Sequence, residues 1–375
     1  MTPKEFRRHL HRHPELSFAE HETARFITEQ LSACGIGCRP VAGTGVLAKI
    51  EGRGDLRRAT VLRADIDALP VHEQTGLPYS SENEGVMHAC GHDIHAAVLF
   101  GTLQRLAADP SFEGTIFGLF QPAEECNPGG ASVVLSEKPF EGYEVRAVVG
   151  EHTDPSLEVG VFGFREGRYM ASSDELRFTV CGRGGHAAMR AQLRDAVAAQ
   201  AALVTELLAL NSESVVLSIG RVQADGATNV VPDTVYMEGT LRAFSEQERE
   251  EIETKIKDIA SAVGSRFGVE VAADISRGYP CVVNDPRLTH IAAELAGSMF
   301  TAVELGLRPT AEDFGFYTRL YPSVFYRCGA GADSVVPGME SPVPAGKLHT
   351  SHLCPNENAL RYAPAVMAAT ALSIL

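Results

Sequence analysis

The sequence predicts an α/β domain, with a mostly parallel central sheet flanked by helices, into which a small α+β domain is inserted. Three observations predict this. Short apolar runs alternate with helix-length segments early in the chain, the texture changes at Asp174, and α/β character resumes after Tyr279. At 375 residues the chain exceeds what one compact core usually holds, so two domains are expected.

Residues 18–34 read as a helix and 45–50 as a strand. A second strand is expected at 60–64 and a helix at His92–Ala108. The runs 115–120 and 147–150 are short and apolar, the form of strands buried on both faces of a parallel sheet. From 174 on, 175–181 alternates like a half-exposed strand, 191–210 is helical, and 214–223 and 234–244 read as strands. A helix at 245–264 and a strand at 269–275 complete the order βαββαβ, the split arrangement of a ferredoxin-like sandwich. The expected division is therefore residues 1–173 and 282–375 for the outer domain and 174–281 for the insertion, with both crossings near Gly and Pro. A helix near 286–300, a strand at 324–328 and a C-terminal helix finish the outer domain.

Composition excludes several functions. Hydrophobic residues make up 45% and charged residues 22%, the balance of a folded chain. With 48 acidic against 33 basic residues the net charge is -15, which leaves no basic excess for nucleic acid. No apolar run is long enough to span a bilayer, and the polar start MTPKEFRRHLHRHPEL argues against secretion. The eight cysteines are scattered, as expected of reduced thiols in the cytoplasm.

The chemistry concentrates at strand ends. In His88-Ala89-Cys90-Gly91-His92-Asp93-Ile94-His95 a thiolate and an imidazole stand two residues apart, able to face one cation from a tight turn. A buried Cys beside solvated histidines would read the same way. Glu124-Glu125 follows the apolar run ending at Phe120, and ligands bind at the carboxyl ends of strands in such sheets. The pair offers one ligand and one free base, or else two solvated loop glutamates. His152 is expected just beyond the strand at 147–150, and His349 is a lone late histidine that fits a surface loop equally well. Together these residues could hold two cations about 3.5–4 Å apart, which activate a water and polarise a carbonyl while a spare Glu takes the proton. Asp65 and Asp67, after the strand at 60–64, stand where they could support a ligand imidazole from behind; Asp67 also suits a simple turn.

The block Arg63-Ala64-Asp65-Ile66-Asp67-Ala68-Leu69-Pro70, the His88–His95 cluster and Gln121-Pro122-Ala123-Glu124-Glu125 resemble the amidohydrolase branch of the aminoacylase/carboxypeptidase-G-like metallopeptidase family. Further segments agree, in order along essentially the whole chain: RRHLHRHPELSF at 7–18, MASSD at 170–174, GRGGHAA at 182–188, TNVVPD at 228–233, GTLR at 239–242 and AEDF at 311–314. The branch includes hippurate hydrolases, indoleacetyl-amino-acid hydrolases and N-acetyldiaminopimelate deacetylases.

The resemblance implies that Cys90 bridges two divalent ions (Zn, Mn, Co or Ni), with His92, Glu125, His152 and His349 completing their shells. Glu124 would be the general base. His186, in the inserted domain, would reach the substrate carbonyl oxygen from a partner subunit of a homodimer, and Asn229 and Arg242 would hold the substrate carboxylate. Sister branches carry a metal-binding His at Arg63 and an Asp at Cys90. This chain departs from the branch at Arg190, Gln192, Leu193, Glu151, Thr350-Ser351 and Leu353-Cys354, all expected near the site. The implied activity is hydrolysis of an N-acyl amino acid. An exo- or dipeptidase on the same scaffold and a non-catalytic metal-stabilised binding protein are the alternatives, and the spare Glu124 argues against the latter.

Overall fold

The outer sheet has eight strands, in the order Gly37–Val41, Gly45–Glu51, Thr115–Gln121, Arg58–Asp65, Glu144–Asp154, Ser323–Gly329, Val161–Phe164 and Thr301–Glu304. The computed structural model describes residues 1–334, 336, 337, 339 and 341–375. They divide into a larger unit, Met1–Gly167 with Val283–Gly306 and Asp313–Leu375, and a smaller one, Arg168–Val282 with Leu307–Glu312.

In the larger unit the four strands from Thr115–Gln121 to Ser323–Gly329 run parallel, while their outer neighbours Gly45–Glu51 and Val161–Phe164 pair antiparallel. Every residue of Thr115–Gln121 and of Ser323–Gly329 is buried, as continuous apolar runs require. The helix His92–Ala108 is buried almost all round, packed against the Pro3–Arg12 and Ala363–Ile374 helices and against the sheet. Its start depends on Gly91, which has φ +90° and would set a Cβ 2.4 Å from the Thr153 methyl carbon. That glycine lets Cys90 and His92 leave the turn on the same side.

One strand differs from expectation. The segment expected at 147–150 runs from Glu144 to Asp154, so His152 lies inside the strand and not beyond its end. Pairing with Ser323–Gly329, out to Gly329↔Asp154, holds the extension, and only the fold supplies that partner.

The smaller unit contains a four-stranded antiparallel sheet, ordered Val215–Ala224, Thr234–Ala243, Asp174–Cys181, Glu270–Arg277. The helices Ala196–Leu208 and Glu246–Phe267 share a core with it around Leu176, Phe178, Leu203, Met237 and Ile256. The first helix begins later than the expected 191, because Asp195 caps it through the Val197 and Ala198 N–H groups and Arg190–Gln192 forms a separate 3₁₀ turn. A buried ion pair closes the unit: Arg249 Nε donates to Asp174 Oδ2 at 2.9 Å, and Nη2 reaches the other oxygen. Among the described residues no helix is long and apolar enough to cross a membrane.

Candidate metal centre

The carboxyl ends of the parallel strands and the start of the buried helix converge on Cys90. Its Sγ lies 3.4 Å from His152 Nε2 and 3.3 Å from His349 Nε2. Two groups of donor atoms, each within 4.8 Å of one another, share this sulfur: Cys90, His92 and His152, and Cys90, Glu125 and His349. Glu124 belongs to a third such group with His92 and Glu125 and is 3.9 Å from His92 Nε2. All five expected ligands are thus brought together with the expected base beside them.

Several contacts fix how these atoms point. His92 Nδ1 meets the Asp67 carbonyl at 2.9 Å and Asp67 Oδ1 at 3.2 Å; both are acceptors, so Nδ1 carries the proton and Nε2 keeps its lone pair. That Nε2 is buried without a hydrogen-bond partner, an orphan that a cation would satisfy. The Asp67 carboxylate also accepts from Ser17 Oγ at 2.7 Å and from the Glu124 and Glu125 N–H groups at 3.1 and 3.0 Å. Burial would raise this carboxyl, but these bonds outweigh burial and hold it below its ordinary range. One side chain therefore orients the His92 imidazole and the loop bearing both glutamates. Asp67 is no simple turn residue.

Asp65 was the other candidate support. It comes no closer than 3.8 Å to the His92 ring and instead binds His95 Nδ1 at 2.6 Å and Arg63 Nη1 at 2.7 Å. The sequence reading assigned His95 no role. Its spacing of one helical turn from His92 was the signal available. Arg63, where sister branches carry a ligand, is fully buried and committed to Asp65, Gln121 and Asp313, with 2.7 Å to Asp313 Oδ1.

Two residues of the centre adopt left-handed backbone, Ala123 at φ +55° and His349 at φ +61°. Such conformations are costly for residues with a Cβ and cluster where surrounding contacts enforce them. The Ala123 N–H donates to Glu20 Oε1 at 2.8 Å, and the His349 N–H donates to the Ala89 carbonyl at 2.6 Å. His349 is the most exposed of the five candidate ligands, and hydrogen bonds to Cys90 and Glu125 raise its imidazole to about 10.

The profile of Peptidase family M20/M25/M40 matches residues 61–352. The chain belongs to this family. It is 36% identical over 336 residues to the N-acetyl-L-cysteine deacetylase of Bacillus subtilis, covering 87% of this chain and 80% of that protein. It is 35% identical over 346 residues to the N-acetyldiaminopimelate deacetylase of Exiguobacterium sibiricum, covering 90% and 92%. A solved Bacillus subtilis structure described as a dinuclear metal-binding peptidase of family M20 superposes with a TM-score of 0.87 at 34% identity, covering 100% of this chain and 97% of that one.

The family motifs acquire physical reasons here. In the N-terminal segment, Arg7 and His11, one turn apart on Pro3–Arg12, both bind Asp93 Oδ2, at 2.6 and 2.8 Å, and so anchor the helix that presents His92. The MASSD segment ends in Asp174, the partner of Arg249. His186 and Asn229 come together in the smaller unit, where residues 185–186 pair with 230–231 and the Ala187 N–H donates to the Asn229 carbonyl at 3.0 Å. Both side chains are exposed, and Arg242 is half-buried on the Thr234–Ala243 strand. Of the departures, Arg190 and Gln192 are exposed, Leu353 and Cys354 are buried, and Glu151 is buried with neither carboxylate oxygen hydrogen bonded. Burial pushes Glu151 up to about 7.

Proposed function

We propose that this chain is a metal-dependent amidohydrolase that cleaves N-acyl amino acids into a carboxylic acid and a free amino acid. The sharing of Cys90 between two donor triads, with Glu124 left over, carries this reading. The deacetylase names of two relatives support an N-acetyl or similar small acyl group. Cys90, His92 and His152 would hold one divalent ion, and Cys90, Glu125 and His349 the other. When bound, the pair supplies Lewis acidity, which polarises a carbonyl and acidifies a water. Thiolate and imidazole donors suit Zn, and the carboxylate-bearing triad also admits Mn, Co or Ni.

In this reading Glu124 takes a proton from the attacking water and returns it to the leaving nitrogen, so that the C–N bond breaks to give a neutral amine. Asp67 fixes the loop that carries Glu124 and Glu125 by accepting from both backbone N–H groups. His186 donates to the carbonyl oxygen as negative charge develops there, an interaction stronger in the transition state than in the substrate. Asn229 and Arg242 hold the substrate carboxylate. The smaller unit joins two copies of the chain; the edge strand Val215–Ala224 and the exposed Val222, Val230 and Tyr236 support that role.

The test is hydrolysis of N-acetyl, N-benzoyl and N-indoleacetyl amino acids against unblocked dipeptides, with Zn- and Mn-loaded protein. The reading expects the acylated compounds to be preferred and metal content to approach two ions per chain. Faster dipeptide cleavage would make the enzyme a peptidase, and full activity with one ion would remove the two-ion centre.

A further inference from the structure

The Glu144–Asp154 strand outruns one of its neighbours. Pairing with Arg58–Asp65 ends at Arg63↔Gly150, while Ser323–Gly329 accompanies it on the other side to Asp154. Thr153 is fully buried in this overhang, where an unpaired backbone group is costly. Its N–H donates to His95 Nε2 at 2.8 Å, and its carbonyl accepts from His152 Nδ1 at 2.6 Å. Because His95 Nε2 accepts, the His95 proton sits on Nδ1, which donates to Asp65 Oδ1 at 2.6 Å. Because His152 Nδ1 donates, Nε2 keeps its lone pair and faces Cys90 Sγ.

We propose that His95 is a positioning residue for His152: its imidazole, locked by Asp65, replaces the missing strand neighbour, fixes the Thr153 backbone, and through it sets the tautomer and aim of His152. The inference rests on the reading of Cys90, His92 and His152 as one ion site. Two further observations favour it over core packing alone. The His95 ring lies 5.4 Å from that of His92 and 4.4 Å from that of His152, so one helical turn supplies a ligand and the support of another ligand. Asp67 and Asp65 divide in the same way, one binding His92 and the other His95. An apolar side chain at 95 would fill the space but leave the Thr153 N–H and an Asp65 oxygen buried without these partners.

The test compares His95→Leu, which removes the acceptor, with His95→Gln, whose amide can still accept from Thr153 and donate to Asp65. His152→Ala is the reference. Ion affinities are measured by competition with a chromophoric chelator, and the geometry by the visible spectrum of Co(II)-loaded protein. His95→Leu should weaken one ion roughly 10–100-fold, the usual effect of losing an outer partner, and alter the Co(II) bands while the second ion stays tight. His95→Gln should recover most of both, and His152→Ala should lose the same ion outright. Should His95→Leu fail to fold, His95→Asn, too short to span both partners, takes its place. Wild-type affinities and spectrum with only a lower melting temperature would overturn the proposal and leave His95 a packing residue. If His152→Ala kept both ions, the ion-site assignment itself would fall, a result distinct from loss of the positioning role alone.

Discussion

The two units hold their polar groups in different ways. In the larger unit most of the candidate ligand atoms are buried, His349 excepted, and two imidazoles have a hydrogen bond that sets their direction: His92 to the Asp67 carbonyl and His152 to the Thr153 carbonyl. In the smaller unit His186 and Asn229 are exposed and are held through a short backbone ladder, and the described hydrogen bond to the His186 ring comes from the Ala188 N–H at 3.2 Å. The buried charges differ as well. Arg63 is shared among groups that surround the centre, whereas Arg249 and Asp174 close the core of their own unit. Buried polar groups that share a small volume are oriented by side-chain contacts, whereas exposed ones are placed by backbone pairing and face water.

Glu124→Gln carries the largest expected effect. The variant keeps the Asp67 contact to its backbone but cannot take a proton. Turnover should fall by roughly 10²–10⁴-fold with metal content unchanged. Near wild-type turnover would remove Glu124 as the base.

Arg249→Met tests whether the smaller unit's buried pair is purely structural. It leaves the Asp174 carboxylate buried without its main partner, which should cost about 3–5 kcal/mol in denaturant unfolding. Turnover of the folded fraction should not change, and a loss of turnover without a loss of stability would show that the Arg249–Asp174 pair serves more than the core of its unit.

His186→Ala should lower turnover by roughly 10²–10³-fold, the scale for one oxyanion donor, with melting temperature nearly unaffected because the side chain is exposed. Remixing Glu124→Gln with His186→Ala subunits sharpens the point. If His186 serves a partner's site, a mixed dimer has one site with both groups intact, and random pairing restores activity to about a quarter of all sites. No gain after confirmed subunit exchange would confine His186 to its own chain.

Ser245→Ala is the mildest change. Ser245 caps the Glu246–Phe267 helix through the Glu248 N–H at 3.1 Å, and its loss should cost about 1 kcal/mol with no effect on hydrolysis. A marked fall in turnover would tie that helix to the reaction.

The alternation of strands and helices, the βαββαβ insertion and the residues able to bind metal are legible along the chain, because apolar periodicity and ligand chemistry are local properties. The sequence also singled out Cys90, His92, Glu124, Glu125, His152 and His349, which the structure gathers into overlapping groups of three with donor atoms within 4.8 Å of one another. That His152 lies inside a strand follows from long-range pairing, since the extension to Asp154 depends on a partner 175 residues away in the chain, Gly329. The division of labour between Asp65 and Asp67 was equally invisible. Both follow the same strand two residues apart, and which imidazole each one meets is set by how the His92–Ala108 helix packs across the sheet. The same holds for Arg63, Asp313 and His95, whose polar contacts span up to 250 positions of sequence and form only when the core closes around them.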